Sequence, residues 1–196
     1  EGLAVLFVSH DRLDAWRLAD RILVLEDGVV SQAGTPPALH AAPATATVAR
    51  YLGAEGRLPV HGAGDGHVVT ADGTKLRATC VGLALGAPGV ALAHPEQVAV
   101  LAQGGIAAVR LGSVFEAGRW RTRWQLGGDG GELLGLHAAH PPERAGISID
   151  PAGLFAFPAS GCGERNATRP DDGSRVARPD PHPAQRTAGF LRPLAK

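Results

Sequence analysis

Cysteine is nearly missing from this chain: Cys80 and Cys162 are the only two, and methionine does not occur at all. Two lone thiols make neither a disulfide framework nor a zinc set, a pattern that fits a reducing compartment. Net charge is also missing, with 19 basic residues against 19 acidic ones. That balance argues against nucleic acid as a partner, because phosphate backbones are held by clustered positive charge. It equally removes a simple electrostatic pull toward an anionic bilayer. No apolar run approaches the length that spans a membrane, and no basic, apolar, small-residue leader opens the chain. Aromatics reach only 5%. What stands in their place is glycine, 27 residues, and proline, 15, a balance suited to a turn-rich β structure with small side chains. Because the chain begins on Glu1 and runs straight into an apolar stretch, it reads as a piece of a longer protein.

Residues 3–8 are nearly all apolar, as expected of a strand buried on both faces of a parallel sheet. Ser9-His10-Asp11 ends that run, and Asp11 suits the N-cap of a helix over 12–20. Residues 21–26 read as a second buried strand. Asp27-Gly28 is the strongest hairpin signal in the chain, with 29–33 returning as the partner. Thr35-Pro36 is a helix start, residues 47–52 form a last short helix, and Gly53 suits its end.

The composition changes after Gly53. Residues 54–66 read as a Gly/Pro-bearing linker. Short β-prone runs follow at 67–71, 74–79, 90–94, 97–101, 106–116, 120–126, 132–137, 146–149 and 154–157, separated by turn residues, which predicts a small barrel or sandwich over 67–158. Residues 159–196 are rich in Pro, Arg and Asp, carry a net charge of +3 and lack apolar periodicity, so a disordered, solvated tail is expected there.

One ordered set of motifs stands out in the first 53 residues. It comprises His10-Asp11, Asp14-Ala15, Leu18-Ala19-Asp20-Arg21-Ile22, Asp27-Gly28, Gly34-Thr35-Pro36, Ala42-Pro43, Val48-Ala49 and Gly53. In order and spacing it resembles the C-terminal end of the nucleotide-binding domain of ABC transporter ATPases. The second half is similar to the TOBE extension of importer ATPases of the iron, spermidine/putrescine and molybdate groups. That similarity rests on His94-Pro95-Glu96, where the family carries Arg-Pro-Glu, on Gly112-Ser113-Val114-Phe115, on the run from Arg119 to Arg123, on Gly131-Glu132-Leu133, and on Ile149-Asp150-Pro151-Ala152-Gly153-Leu154 with Phe157-Pro158. The implied architecture is an α/β piece of an ABC ATPase domain over 1–53, then an all-β, OB-like TOBE barrel over 67–158.

The resemblance implies that His10 is the family's switch histidine. Phosphoryl transfer rests on positioning and charge stabilisation. A histidine at the carboxyl end of a strand can donate a hydrogen bond to the γ-phosphate of ATP and orient the attacking water. His10 is therefore both the catalytic and the nucleotide-contacting candidate. The implied cofactors are ATP and Mg2+ in the complete protein. The implied partners are a second ATPase subunit in a homodimer, transmembrane permease subunits and, indirectly, a solute-binding protein, at the cytoplasmic face of the cell membrane. Ferric iron, a polyamine or an oxyanion is the implied class of solute. The chain has no Gly-x-x-x-x-Gly-Lys-Ser/Thr loop, no apolar run ending in Asp-Glu and no family signature sequence, so it is expected to be inactive alone. The competing reading is a non-catalytic regulatory or dimerisation module whose β half binds a small anion.

Other residues have plainer readings beside functional ones. Arg119, Arg121 and Arg123 share a strand face, an oxyanion surface or simply the solvent side with Trp120, Thr122 and Trp124 turned inward. His137 and His140 have a metal-like spacing but no third ligand, which favours exposed histidines over a metal site. Cys80 reads as a small core residue, Asp20-Arg21 as structural and Trp16 as packing. Gly73-Thr74-Lys75 reads as a hairpin, not a phosphate loop.

Overall fold

The protein is described here by a computed structural model covering residues 4–9, 11–126 and 131–159. The strand expected over 3–8 does not form. Residues 4–9 have no regular structure, and Leu6 and Val8 are 87% and 94% exposed. A strand needs a neighbour for its backbone groups, and an all-apolar one needs cover on both faces. Among the described residues no strand pairs with it.

Helix α1, Arg12–Leu18, starts where Asp11 accepts a hydrogen bond from the Leu13 amide at 2.8 Å. It ends before Asp20 because Ala19 is already extended, leading into β1, Ile22–Glu26. Asp27 and Gly28 both take positive φ, 51° and 81°, and turn the chain into β2, Val29–Gly34. That left-handed pair matches the twist of a two-residue hairpin. Only one face of β1 is covered: Ile22 and Val24 pack inward while Leu23 and Leu25 stay exposed, so the expected burial on both faces is not met. Helices α2, Pro36–Ala41, and α3, Ala46–Tyr51, supply the cover through Leu39, Val48 and Leu52. Thr45 caps α3, accepting from the Val48 amide at 3.1 Å and donating to Glu26 Oε1 at 2.8 Å. At its other end the Gly53 amide bonds to Arg50 O and the Ala54 amide to Ala49 O, with Gly53 at φ 100°. This is the glycine-terminated helix end anticipated for Gly53.

The expected linker over 54–66 is instead a ten-residue strand, β3, Glu55–Gly64, in the middle of the main sheet. Its inward residues Leu58 and Val60 alternate with outward Arg57, Pro59 and His61, a period of two that Gly56, Pro59, Gly62 and Gly64 obscure in the sequence. The following strands are β4 (His67–Thr70), β5 (Lys75–Arg77), β6 (Thr79–Cys80), β7 (Pro88–Ala93), β8 (Val98–Leu101), β9 (Ile106–Glu116), β10 (Arg119–Leu126), β11 (Gly131–His137), β12 (Arg144–Ile149) and β13 (Leu154–Pro158). They lie close to the expected runs. One run, 74–79, is split into β5 and β6, where the Ala78 amide turns back to Gly66 O. The turn residues between the runs 120–126 and 132–137 fall largely, and the tail over 159–196 almost wholly, outside the described residues.

The sheet runs β6-β13-β7-β3-β11-β10-β9-β12-β8, with β4 and β5 branching from β3. It curls on itself: Val68 of β4, Val98 of β8, Trp124 of β10 and Ile147 of β12 all meet in one core. A flat sheet could not bring strands so far apart in that order into contact. On the opposite side of β7 and β13, Leu92, Phe155 and Phe157 pack against Ala46 and Ala49 of α3. Helix α3 thus buries one side against the β1–β2 hairpin and the other against the large sheet, and its small alanines permit the close approach.

Candidate functional site

Position 10 lies outside the described residues, so the His10 assignment is not tested by the geometry. The Asp11 amide donates to Ser9 Oγ at 3.0 Å, and the Asp11 carboxylate is occupied with the α1 cap. The N-cap expected of Asp11 is therefore observed.

Behind α1, rings from four elements meet. Trp16 stands edge-on to His40 of α2 at 5.2 Å between centroids. His40 stacks on His94, at the end of β7, at 3.9 Å and 25° between planes. His94 meets Phe155 of β13 edge-on at 5.4 Å. His94 is buried, and neither its Nε2 nor the Nδ1 of His40 has a hydrogen-bond partner among the described residues. Burial first, then the adjacent His94, holds His40 below the ordinary imidazole value, against an upward pull from Glu96. A small recess of about 140 Å3 beside this group is bordered by Arg12, Trp16, Glu55, Glu96 and Arg121, with Arg121 donating to Glu55. Trp16 does the packing anticipated for it, but the pairing of His40 with His94 was not anticipated. The only signal was the replacement of the family's arginine at His94.

On the β domain, the arginine row follows the solvent-side reading except at Trp120, which is half-buried against the exposed Phe115 and His140 and not turned into the core. Arg119 and Arg123 are exposed, Arg121 is tied to Glu55, and Thr122 and Trp124 are fully buried. Arg123 Nε lies 3.9 Å from Glu132 Oε2, too long for a strong pair. The structure does not bring His137 and His140 to a common site. His137 is buried rather than exposed, and its Nε2 accepts from Trp124 Nε1–H at 3.0 Å, because β11 places it inward next to β10. Burial pushes its pKa down. His140 is exposed and lies against Arg110 and the edge of Trp120. Among the described residues no group of three or more His, Cys, Asp or Glu side chains is placed to hold a metal. Cys80 is half-buried against the main core, its thiol pushed up by burial. Gly73-Thr74-Lys75 is the β4–β5 turn, where Asp72 accepts from Thr70 and from the Thr74 amide, contacts that hold its carboxyl down. A broader open cavity, about 650 Å3, is lined by Gly104, Gly105, Gln125, Arg144 and Gly146.

Comparison with known proteins bears on the family of the chain. The chain is 33% identical over 176 residues to the sn-glycerol-3-phosphate import ATP-binding protein of Chromohalobacter salexigens, covering 82% of this chain and 46% of that protein. It is 31% identical over 171 residues to the protein of the same name from Chromobacterium violaceum, covering 87% of this chain and 40% of that one. The chain belongs to the ATP-binding subunits of ABC importers. A shorter match, 50% identical over 54 residues, is to the Fe(3+) ions import ATP-binding protein of Streptomyces coelicolor, covering 28% of this chain and 16% of that one. No protein-family model matches the chain. The chain spans less than half the length of the relatives that it matches over most of its own. Among the described residues no helix is long and apolar enough to cross a membrane.

Proposed function

We propose that the chain is the C-terminal part of the ATP-hydrolysing subunit of an ABC importer, in which ATP hydrolysis is coupled to solute uptake. The observation that carries this reading is the match to importer ATP-binding subunits over more than four fifths of the chain. The bare apolar stretch Val5 to Val8 and the exposed Leu23 and Leu25 support it, since such surface belongs against further protein. In the complete subunit His10 would donate to the γ-phosphate and orient the attacking water, while ATP and Mg2+ would be held by the phosphate loop and acidic motif that this sequence lacks. The second subunit of a homodimer would close over the nucleotide, and the pair would move permease subunits at the cytoplasmic face of the membrane. The β domain would be the TOBE-type, OB-like extension. The similar proteins carry names for three unlike solutes, sn-glycerol-3-phosphate, Fe(3+) ions and sulfate/thiosulfate, so the solute class proposed is ions and small anionic metabolites.

The test compares ATP turnover by the 196-residue chain, by the complete subunit that contains it, and by the complete subunit carrying His10→Ala. Expected are no turnover by the chain, turnover by the complete subunit, and a loss of about a hundredfold on His10→Ala. Turnover by the chain alone, or an unaffected His10→Ala subunit, overturns the assignment.

A second reading is favoured by the cavity that Arg144 and Gln125 border: the β domain binds a small anion without taking part in catalysis. Calorimetric titration of the chain with molybdate, sulfate and phosphate decides it. Saturable heat that Arg144→Ala abolishes supports this reading, and no heat with any of the three removes it.

A further inference from the structure

His40 and His94 lie 54 positions apart in the sequence, yet their rings are face to face at 3.9 Å. Trp16 and Phe155 close the two ends of the column edge-on. His94 is 3% exposed, and one nitrogen on each ring is buried without a partner among the described residues. Buried polar atoms are normally paired, so two orphans in one contact are an exception that asks for a reason. A neutral imidazole tolerates such surroundings, because one nitrogen carries only a lone pair. An imidazolium does not: each ring nitrogen then carries a proton in need of an acceptor, and the charge has lost its water. Charging both rings would also set like charges against each other at stacking distance.

The surroundings do not cancel that cost. Glu96, in the 3-10 turn after His94, is the carboxylate that draws His40 toward the charged form, and burial with His94 outweighs it. Arg12 of α1 borders the neighbouring recess and adds a further positive charge there, while Arg121 of β10 and Glu55 of β3 neutralise each other. Trp16 and Phe155 carry no charge. Leu39 ties α2 to the hairpin core, and the adjacent His40 ties it to the sheet that holds His94.

We propose that His40 and His94 form a proton-operated latch: with His40 neutral the stacked rings hold α2 on the β7–β13 side of the sheet, and a proton taken up by His40 separates them and frees α2. The device stands independently of the ATPase reading, since it needs only residues of this chain. It makes the contact between the N-terminal elements and the β domain sensitive to acidification below the ordinary histidine range.

The test uses the 196-residue chain, with histidine ring titration by NMR and amide exchange expressed as protection factors. Replacing His94→Gln is expected to move the His40 midpoint upward, because a repelling neighbour is gone. Protection of the α2 amides is expected to drop about tenfold between neutral pH and about pH 5.5, and to stay nearly level in His40→Gln. Protection in β10 and β11 serves as the reference, separating the latch from the titration of His137. A His40 midpoint indifferent to His94→Gln overturns the proposal, as does equal α2 protection at both pH values. Should His94→Gln fail to fold, the exchange comparison with His40→Gln decides alone, since that ring is only partly buried.

Discussion

Trp124→Phe is the most exacting test of how the β domain is held together. Trp124 is 0% exposed and its Nε1–H donates to His137 Nε2 at 3.0 Å, the one side-chain hydrogen bond between two buried groups among the described residues. The bond fixes the His137 tautomer with its proton on Nδ1. Phenylalanine removes the donor and leaves the imidazole nitrogen buried and unpaired, a loss of about 1–3 kcal/mol. The smaller ring leaves part of the core unfilled, costing about another 1–2 kcal/mol. For a chain of this length that corresponds to a fall in Tm of about 5–15 °C, read by circular dichroism alongside urea unfolding. Adding His137→Leu removes the orphaned nitrogen, so the double variant is expected to lose about 1–2 kcal/mol less than the sum of the single losses. Gly135→Ala attacks the same bond from the side, because a Cβ there would stand 2.6 Å from His137 Nε2 and 3.3 Å from Trp124 Nε1. The pH dependence has a definite sign. Burial holds His137 below its ordinary value, so above about pH 6.5 both folded and unfolded forms are neutral and stability is at its full value. As the pH falls through that point the unfolded chain takes up the proton first, and stability declines until the folded value is passed. Replacing His137→Leu should reduce that decline. A Trp124→Phe loss under about 0.5 kcal/mol, or strict additivity with His137→Leu, would refute the claim that this bond matters to stability.

Two further predictions concern backbone geometry. A Cβ at Gly146 would lie 1.6 Å from Gly104 O, which no side-chain adjustment relieves, so Gly146→Ala is expected to cost about 3 kcal/mol or to prevent folding; urea unfolding and soluble yield check it. Thr45→Ala loses both the α3 cap and the bond to Glu26 Oε1, and is expected to cost about 1–2 kcal/mol, with the unfolding midpoint moving and the slope unchanged.

Most strands were readable because their signals are local. The alternation in Trp120 to Leu126 and the turn residues on either side of it mark β10 whatever surrounds them. Asp27-Gly28 needed only the left-handed preference of two adjacent residues. The failures have a different cause. Residues 3–8 were read as a buried strand from their apolar content, but a strand exists only where something pairs with it, and the described residues offer no such neighbour. The converse error fell on Glu55–Gly64. Its glycines and proline mark a loop by composition, yet Leu58 and Val60 find cores on one side while β7 and β11 take up its edges. Tertiary pairing decided both segments, in opposite directions.

The chemistry of the chain divides along the same line. The motifs around His10 are consecutive in the sequence and could be recognised there, because the spacing of a strand, a cap and a turn is itself a sequence property. The ring column is assembled from positions 16, 40, 94 and 155, and no spacing rule joins them. His94 shows the difference most clearly. As a member of a Pro-Glu element it was legible only as a departure from the arginine that the resemblance implies. Exchanging an always-charged guanidinium for an imidazole changes the physics of a buried contact: a stack that would be cationic at every pH becomes neutral above the histidine range and charged below it. The curled sheet brings β7 and β13 under α2, and that geometry gives the substitution a partner in His40. The same substitution on an exposed turn would be electrostatically almost silent, since water would screen either form. The consequence of His94 therefore lies in its burial against His40, which depends on the fold and not on the residue type alone.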